Sequence, residues 1–218
     1  MRLTTDVILI AIALVLVLWY LALSIYNRRR GITVYRWLQS GLKELGGEVS
    51  GRWLGSSGSG AQMHVDQAGA PFRELDAIYL LASRELLPLF LLDLARGKRD
   101  RLIFKAALRR VPPSDLEIVR ARSRAARGVR SDEWQVEDGP HGLVIGQRGR
   151  GAGALRAAST PLLEKYGPRI QQISWSRQAP HLIVVLSLAG LYEPGGSAAA
   201  LFEDLAAAAS ALHEPREV

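Results

Sequence analysis

The 218-residue chain contains no cysteine. It can form no disulfide, no thiolate metal site and no thiol nucleophile. A cysteine-free chain fits a reducing cytoplasm, although exported bacterial proteins also dispense with the residue. Its histidines, His64, His141, His181 and His213, are far apart and never fall at ligand spacing such as H-x-x-x-H. No G-x-S-x-G nucleophile elbow occurs. The glycine- and serine-rich run Gly55 to Gly60 lacks the Lys-Ser/Thr ending that reaches phosphates and magnesium, so it reads as a hairpin turn. These absences remove the sequence signatures of hydrolases, metalloenzymes and redox enzymes, while carboxylate pairs can still assemble in the fold. No residue is assigned to catalysis, a cofactor or a metal.

Charge is equally absent from Val7 to Tyr26, VILIAIALVLVLWYLALSIY. At about 1.5 Å per residue, a run of this length spans the ~30 Å hydrocarbon core of a bilayer. It is apolar on every side, where a core helix would carry a polar stripe. It is also longer than a signal-peptide apolar region, and Ala22-x-Ser24 is a poor cleavage site. The expectation is a single transmembrane helix over residues 7–26, acting as a signal anchor.

The flanking charges are asymmetric. Arg28, Arg29, Arg30, Arg36 and Lys43 follow the run, whereas Arg2 and the amino terminus precede it, opposed by Asp6. Lys and Arg are retained on the cytoplasmic side. Residues 1–6 are therefore expected outside and the larger domain in the cytoplasm. Tyr20, Tyr26, Tyr35 and Trp37 suit the interface.

Apolar content of 48% and charged content of 22% describe an ordinary folding domain after the anchor. The net charge of +7 is concentrated. Residues 96–130 hold twelve Lys or Arg against Asp100, Asp115 and Glu117, a local excess of nine, so the rest of the chain is slightly acidic.

Periodicity predicts an α+β fold, a mainly antiparallel sheet with packed helices. A basic flank and an amphipathic juxtamembrane helix occupy residues 27–47, with Val34, Trp37, Leu38, Leu42 and Leu45 at helical spacing and Gly46-Gly47 as its stop. A β-rich part covers 48–130. It begins with a hairpin of 48–54 and 61–67, and residues 72–83 extend the sheet. Pro88 weakens the apolar run 85–95 as a helix. Residues 102–108 alternate, and 116–124 is expected to return as their hairpin partner after the Pro112-Pro113 turn. A polar connector, 131–141, forms the best internal boundary. An α+β part, 142–212, follows in the order β-α-β-β-α, and Leu182 to Leu188 has the composition of a strand buried on both faces. Residues 213–218 form a tail.

Two basic groups are candidate anion sites. On the expected hairpin, Arg120, Arg122 and Arg124 share one strand face, with Lys105 and Arg109 beside them. Guanidinium groups pair well with phosphates, and a nearby anionic leaflet supplies them at about 1 kcal/mol per basic residue. An acidic protein partner is the alternative. Nucleic acid is set aside because no aromatic residues interleave the charges. A solvated face protecting a sheet edge is the plain reading of the same residues. The second group is Arg148 and Arg150, in a glycine-rich loop that opens the helix near Ala154. It fits the loose dinucleotide fingerprint, but no acidic residue ends the next strand and the loop carries two arginines.

The combined expectation is a single-pass membrane-anchored interaction protein: an adaptor, assembly factor or accessory subunit of a membrane complex. Its basic domain would face an anionic leaflet or another membrane protein. A domain binding a small anionic ligand, and an enzyme without recognisable motifs, are the alternatives.

Overall fold

In the computed structural model, residues 2–95, 97, 99–130, 133–192 and 194–212 are described. The tail 213–218, Arg96, Lys98 and Asp132 lie outside them. The fold is α+β, with a long apolar N-terminal helix followed by one nine-stranded antiparallel sheet and packed helices.

Helix α1 runs unbroken from Arg2 to Glu44. The expected membrane span and the expected juxtamembrane helix are one element, because nothing between Tyr26 and Thr33 breaks a helix. Gly31 falls mid-helix where a Cβ would meet the Ser57 carbonyl oxygen at 1.8 Å. Gly46 and Gly47, both at positive φ, terminate the helix.

The two halves of α1 differ in environment. The apolar half is long and hydrophobic enough to cross a membrane, and none of its most hydropathic stretch is buried. The other half is part of the domain: Val34, Trp37, Leu38 and Leu42 are buried in the core. Trp37 packs against Tyr192, and Tyr35 stacks on Trp53 at 4.9 Å, so neither ring takes the interfacial position expected of it.

Strands β1 (Glu48–Trp53), β2 (Gly60–Asp66), β3 (Phe72–Leu80) and β4 (Arg101–Leu108) form a meander. The remaining strands are β5 (Asp115–Arg120), β6 (Gln135–Asp138), β7 (Leu143–Arg148), β8 (Ile170–Trp175) and β9 (Leu182–Ser187). Spatial order is β1-β2-β3-β4-β9-β8-β5-β7-β6. The sheet continues through the polar connector, which supplies the edge strand β6.

The expected hairpin of 102–108 with 116–124 does not form. β4 pairs with β3 and β9, while β5 pairs with β7 and β8. Pro112 and Pro113 have no N–H to close a tight turn, and the chain instead crosses to the far half of the sheet. β5 also stops at Arg120, because Ser123 accepts the Ala126 N–H and caps a short helix, α3 (Arg124–Val129).

One face of the sheet is covered by the domain half of α1, by α4 (Ala152–Tyr166) and by α5 (Ala199–Ser210). Alternation delivers Leu102, Phe104 and Ala106 from β4, and Leu182, Val184 and Leu186 from β9, to that face. The opposite face is largely open, so Ile183 and Val185 of β9 are only half-buried rather than enclosed on both sides. α3 covers a small part of this face through Val119, Ala126, Val129 and Val144.

The apolar run after β3 does make a helix, α2 (Leu87–Ala95). Pro88 is in its first turn, where no intrahelical N–H is required.

Candidate functional site

The basic residues expected on one hairpin are dispersed. Lys105 lies in mid-sheet on the open face, beside Asp76 on β3 and Ile183 on β9. Arg109 binds backbone carbonyls: Nε donates to Phe72 O at 3.1 Å and Nη2 to Ala68 O at 2.9 Å. Arg120 is committed more heavily, donating to the carbonyls of Ile170, His141, Gly167 and Pro168 at 2.5–3.0 Å. It therefore pins the end of β5 to the turn before β8. Arg122 and Arg124 are exposed around the start of α3 rather than on a strand.

Strand directions nonetheless bring much of the charge to one rim. Ala82, just after β3, and Asp100, just before β4, meet the end of the apolar half of α1 at Asn27 and Arg30. β9 ends and β8 begins at this rim, and antiparallel pairing of β5 with β8 places Arg120 there too. Arg99, Arg101, Arg122 and Arg124 thus occur at the strand ends from which the apolar helix leaves.

At that exit the helix is locked to the domain. Buried Asn27 donates through Nδ2 to Ala82 O and to Glu85 Oε1, both at 3.1 Å. Its Oδ1 accepts from Arg84 Nη1 at 3.0 Å. Asp100, 5% exposed, holds Arg84 at 2.7 Å and Arg30 at 2.9 Å, and accepts the Ala82 N–H. Of the expected membrane-flanking arginines, Arg30 is therefore an internal ion-pair partner, whereas Arg28 and Arg29 are exposed.

The second expected anion site is also altered. Gly149 and Gly151, at positive φ, turn the chain from β7 into α4. Arg148 turns back, with Nη2 3.1 Å from Asp115 and Nη1 3.1 Å from Glu133, and lies over the Trp134 ring. Its charge is already matched. Arg150 remains exposed on the loop.

What the sequence reading missed is the shallow cleft beside Arg148 on the open face. It has a volume of about 320 Å³ and is lined by Asp115, Glu117, Trp134, Arg148, Ser174 and Ile183, among others. Asp115 and Glu117 are two apart on β5. Gly146 opposite Glu117 leaves room for Val129 and Trp134, because a Cβ there would meet Val129 at 2.2 Å. The D-x-E spacing on a strand was the available signal, hidden inside a block counted for its positive charge.

The two carboxyl groups are pushed apart. Burial alone would raise Asp115, but the Arg177 N–H at 3.0 Å and the Arg148 guanidinium hold it below its ordinary value. Burial raises Glu117, against hydrogen bonds from Ser174 and Gln172 and with the Asp115 charge adding to the rise. Such a divided pair is the arrangement that acid–base sites use. Here, however, each of the four oxygens already accepts a hydrogen bond from the protein. The network therefore holds β5, β7 and β8 in register. Among the described residues, no three histidine or carboxylate groups converge as metal ligands.

The direction of the Glu117 shift gives a pH prediction. A carboxyl raised on folding binds its proton more tightly in the folded state. Its stabilising share is complete below the unfolded value, about 4.3, and is lost as pH rises through the folded value. Asp115 acts oppositely, losing its share as pH falls. Glu117→Gln is expected to remove the alkaline-going decline, so that its stability relative to the parent protein rises from pH 4 to pH 8. Thermal melts of both proteins from pH 4 to 8 in detergent check this, and parallel curves would contradict it.

No protein-family model matches this chain, and no curated protein matches it significantly.

Proposed function

We propose that the chain is a single-pass membrane protein that holds an interaction domain against the cytoplasmic leaflet, as an adaptor, assembly factor or accessory subunit of a membrane complex. The observation that supports this reading is the unbroken helix α1, apolar and uncovered in one half and embedded in the domain core in the other. A flexible tether would leave the domain free to tumble. A continuous helix instead sets the distance and tilt of the sheet relative to the bilayer. The rim nearest the bilayer carries Arg99, Arg101, Arg122 and Arg124, exposed and suited to anionic headgroups or an acidic partner. The excess of arginine after the apolar run supports the cytoplasmic placement of the domain.

Purification of the tagged full-length protein from native membranes in mild detergent tests the reading. The expected result is a stoichiometric membrane-protein partner, lost when Arg122→Glu and Arg124→Glu are combined. Both residues are exposed, so the double variant keeps its fold. A protein recovered alone, or a partner retained undiminished by the double variant, would reject the adaptor role of this rim.

A further inference from the structure

Helix α2 has no buried residue. Leu86, Leu89, Leu91, Leu92 and Leu94 are each 44–54% exposed, in a segment of sequence LLPLFLLDLA from Leu86 to Ala95. A soluble domain rarely leaves so compact an apolar patch in water. Asp93, the helix's one charged residue, is only half-exposed and is engaged with other groups. The leucines are therefore not part of a polar surface.

The position of α2 says what covers it. The chain leading into it climbs along α1 toward the apolar end. Asn27 takes the Ala82 carbonyl, and the Trp19 indole Nε1 donates to the Arg84 carbonyl at 3.2 Å. Trp19 is about 12 Å further along the helix axis than Asn27. Within residues 7–26 only Trp19, Leu23 and Ser24 are partly covered, and Trp19 and Leu23 share a face with Asn27 at i, i+4 and i+8 spacing. That is the face along which residues 82–84 run. The carbonyl two residues before the leucines is thus tied to a residue inside the apolar run, so the leucine segment begins beside that run. Arg84 is engaged by Asp100 and Asn27, but the exposed Arg99 follows α2 where a headgroup phosphate would meet it.

We infer that α2 is a second membrane contact: an interfacial helix whose leucines enter the leaflet on the domain side, next to the span. Its occupant is the lipid bilayer. At nine residues it is about 14 Å long, too short to cross, and it lies in the interface as monotopic helices do. Two contacts fix the rotation of the domain about the axis of α1, which one helix cannot do. The inference rests on α1 being a span, and the experiment separates the two claims.

The native chain has no cysteine, so a single introduced thiol labels uniquely. Full-length Leu89→Cys, Leu92→Cys and Leu94→Cys are labelled with an environment-sensitive fluorophore in vesicles of phosphatidylcholine and phosphatidylglycerol. Leu14→Cys on α1 and Val136→Cys on β6 serve as references. The expected result is that doxyl-labelled lipids quench the α2 positions and Leu14→Cys. Aqueous iodide should quench the α2 positions several-fold less than Val136→Cys. Iodide access at α2 equal to that at Val136→Cys, with Leu14→Cys still lipid-quenched, would overturn the inference and leave the anchor standing. Shielding of α2 from both quenchers would also overturn it, by showing protein rather than lipid on the leucines. Iodide access at Leu14→Cys would remove the anchor and this inference together.

Discussion

Deletion of residues 1–45 is expected to leave the remaining chain unable to fold, whereas deletion of residues 1–26 leaves the domain intact. The difference lies in residues 27–45, which a hydropathy reading assigns to the membrane flank. Val34, Leu38 and Leu42 are completely buried and Trp37 nearly so, in the same core as Phe104, Phe202 and Leu186. Each such side chain contributes about 1.5–3 kcal/mol when taken out of water. Together they supply roughly 6–12 kcal/mol, against a total stability of about 5–15 kcal/mol for a typical domain.

Polar losses add to this. The Tyr79 hydroxyl, fully buried, donates to the Gly31 carbonyl at 2.8 Å and would be orphaned. Ala198, which starts α5, donates its N–H to the Trp37 carbonyl. A chain beginning at Asn27 keeps every one of these contacts and sacrifices, at the exit, the Trp19–Arg84 hydrogen bond and the Arg30–Tyr26 hydrogen bond. Circular dichroism melts of residues 27–218 and 46–218 in detergent check the prediction. A cooperative transition of equal midpoint in both would contradict it.

That prediction also marks where the sequence was legible. Elements with a strong local period were readable: the apolar run, the alternation of Leu102 to Leu108, and the α5 face of Leu201, Phe202, Leu205 and Ala208. The glycine pair after α1 was readable because positive φ is a local demand. Strand partners were not. Nothing local to residues 102–124 reveals that β9 will insert beside β4, because that choice depends on which distant strand best covers Phe104 and Ala106. The basic cluster was misplaced for the same reason. Alternation places Arg120, Arg122 and Arg124 on one face only while the strand continues, and the Ser123 cap ends it first.

The Asp115–Glu117 cleft was illegible for a different reason. Its chemistry needs Arg148, Gln172, Ser174 and Arg177, which only the sheet order brings together. The membrane-flanking arginines were legible as a group but not individually. Arg28 and Arg29 remain outside, while Arg30, one residue further around the helix, turns into the domain and finds Asp100.

Asp100→Ala is expected to cost about 3–5 kcal/mol, the second large effect, because it leaves two guanidinium groups in a nearly closed site without their shared counter-charge. The side chains of Arg30 and Arg84 are 19% and 17% exposed, so solvent screens them poorly. Arg30 Nε is buried and already lacks a partner. The Ala82 N–H would lose its acceptor as well. Asp100→Asn keeps an acceptor for that N–H but not the charge, and should fall between the two. Thermal melts rank the three proteins. Removing Arg84 in the Asp100→Ala background should then recover part of the loss, since one of the two unpaired charges is gone. This less-than-additive cycle is the signature of residues acting through one network. Additive losses would mean that Asp100 merely packs. The same aspartate joins the start of β4 to both Arg30 on α1 and Arg84 at the approach to α2. Its removal should therefore loosen the sheet from both apolar helices at once, raising amide exchange first at Ala82, whose N–H loses the carboxylate, and then at Leu188, whose N–H bonds to the Asp100 main-chain carbonyl, before it affects β5 or β7.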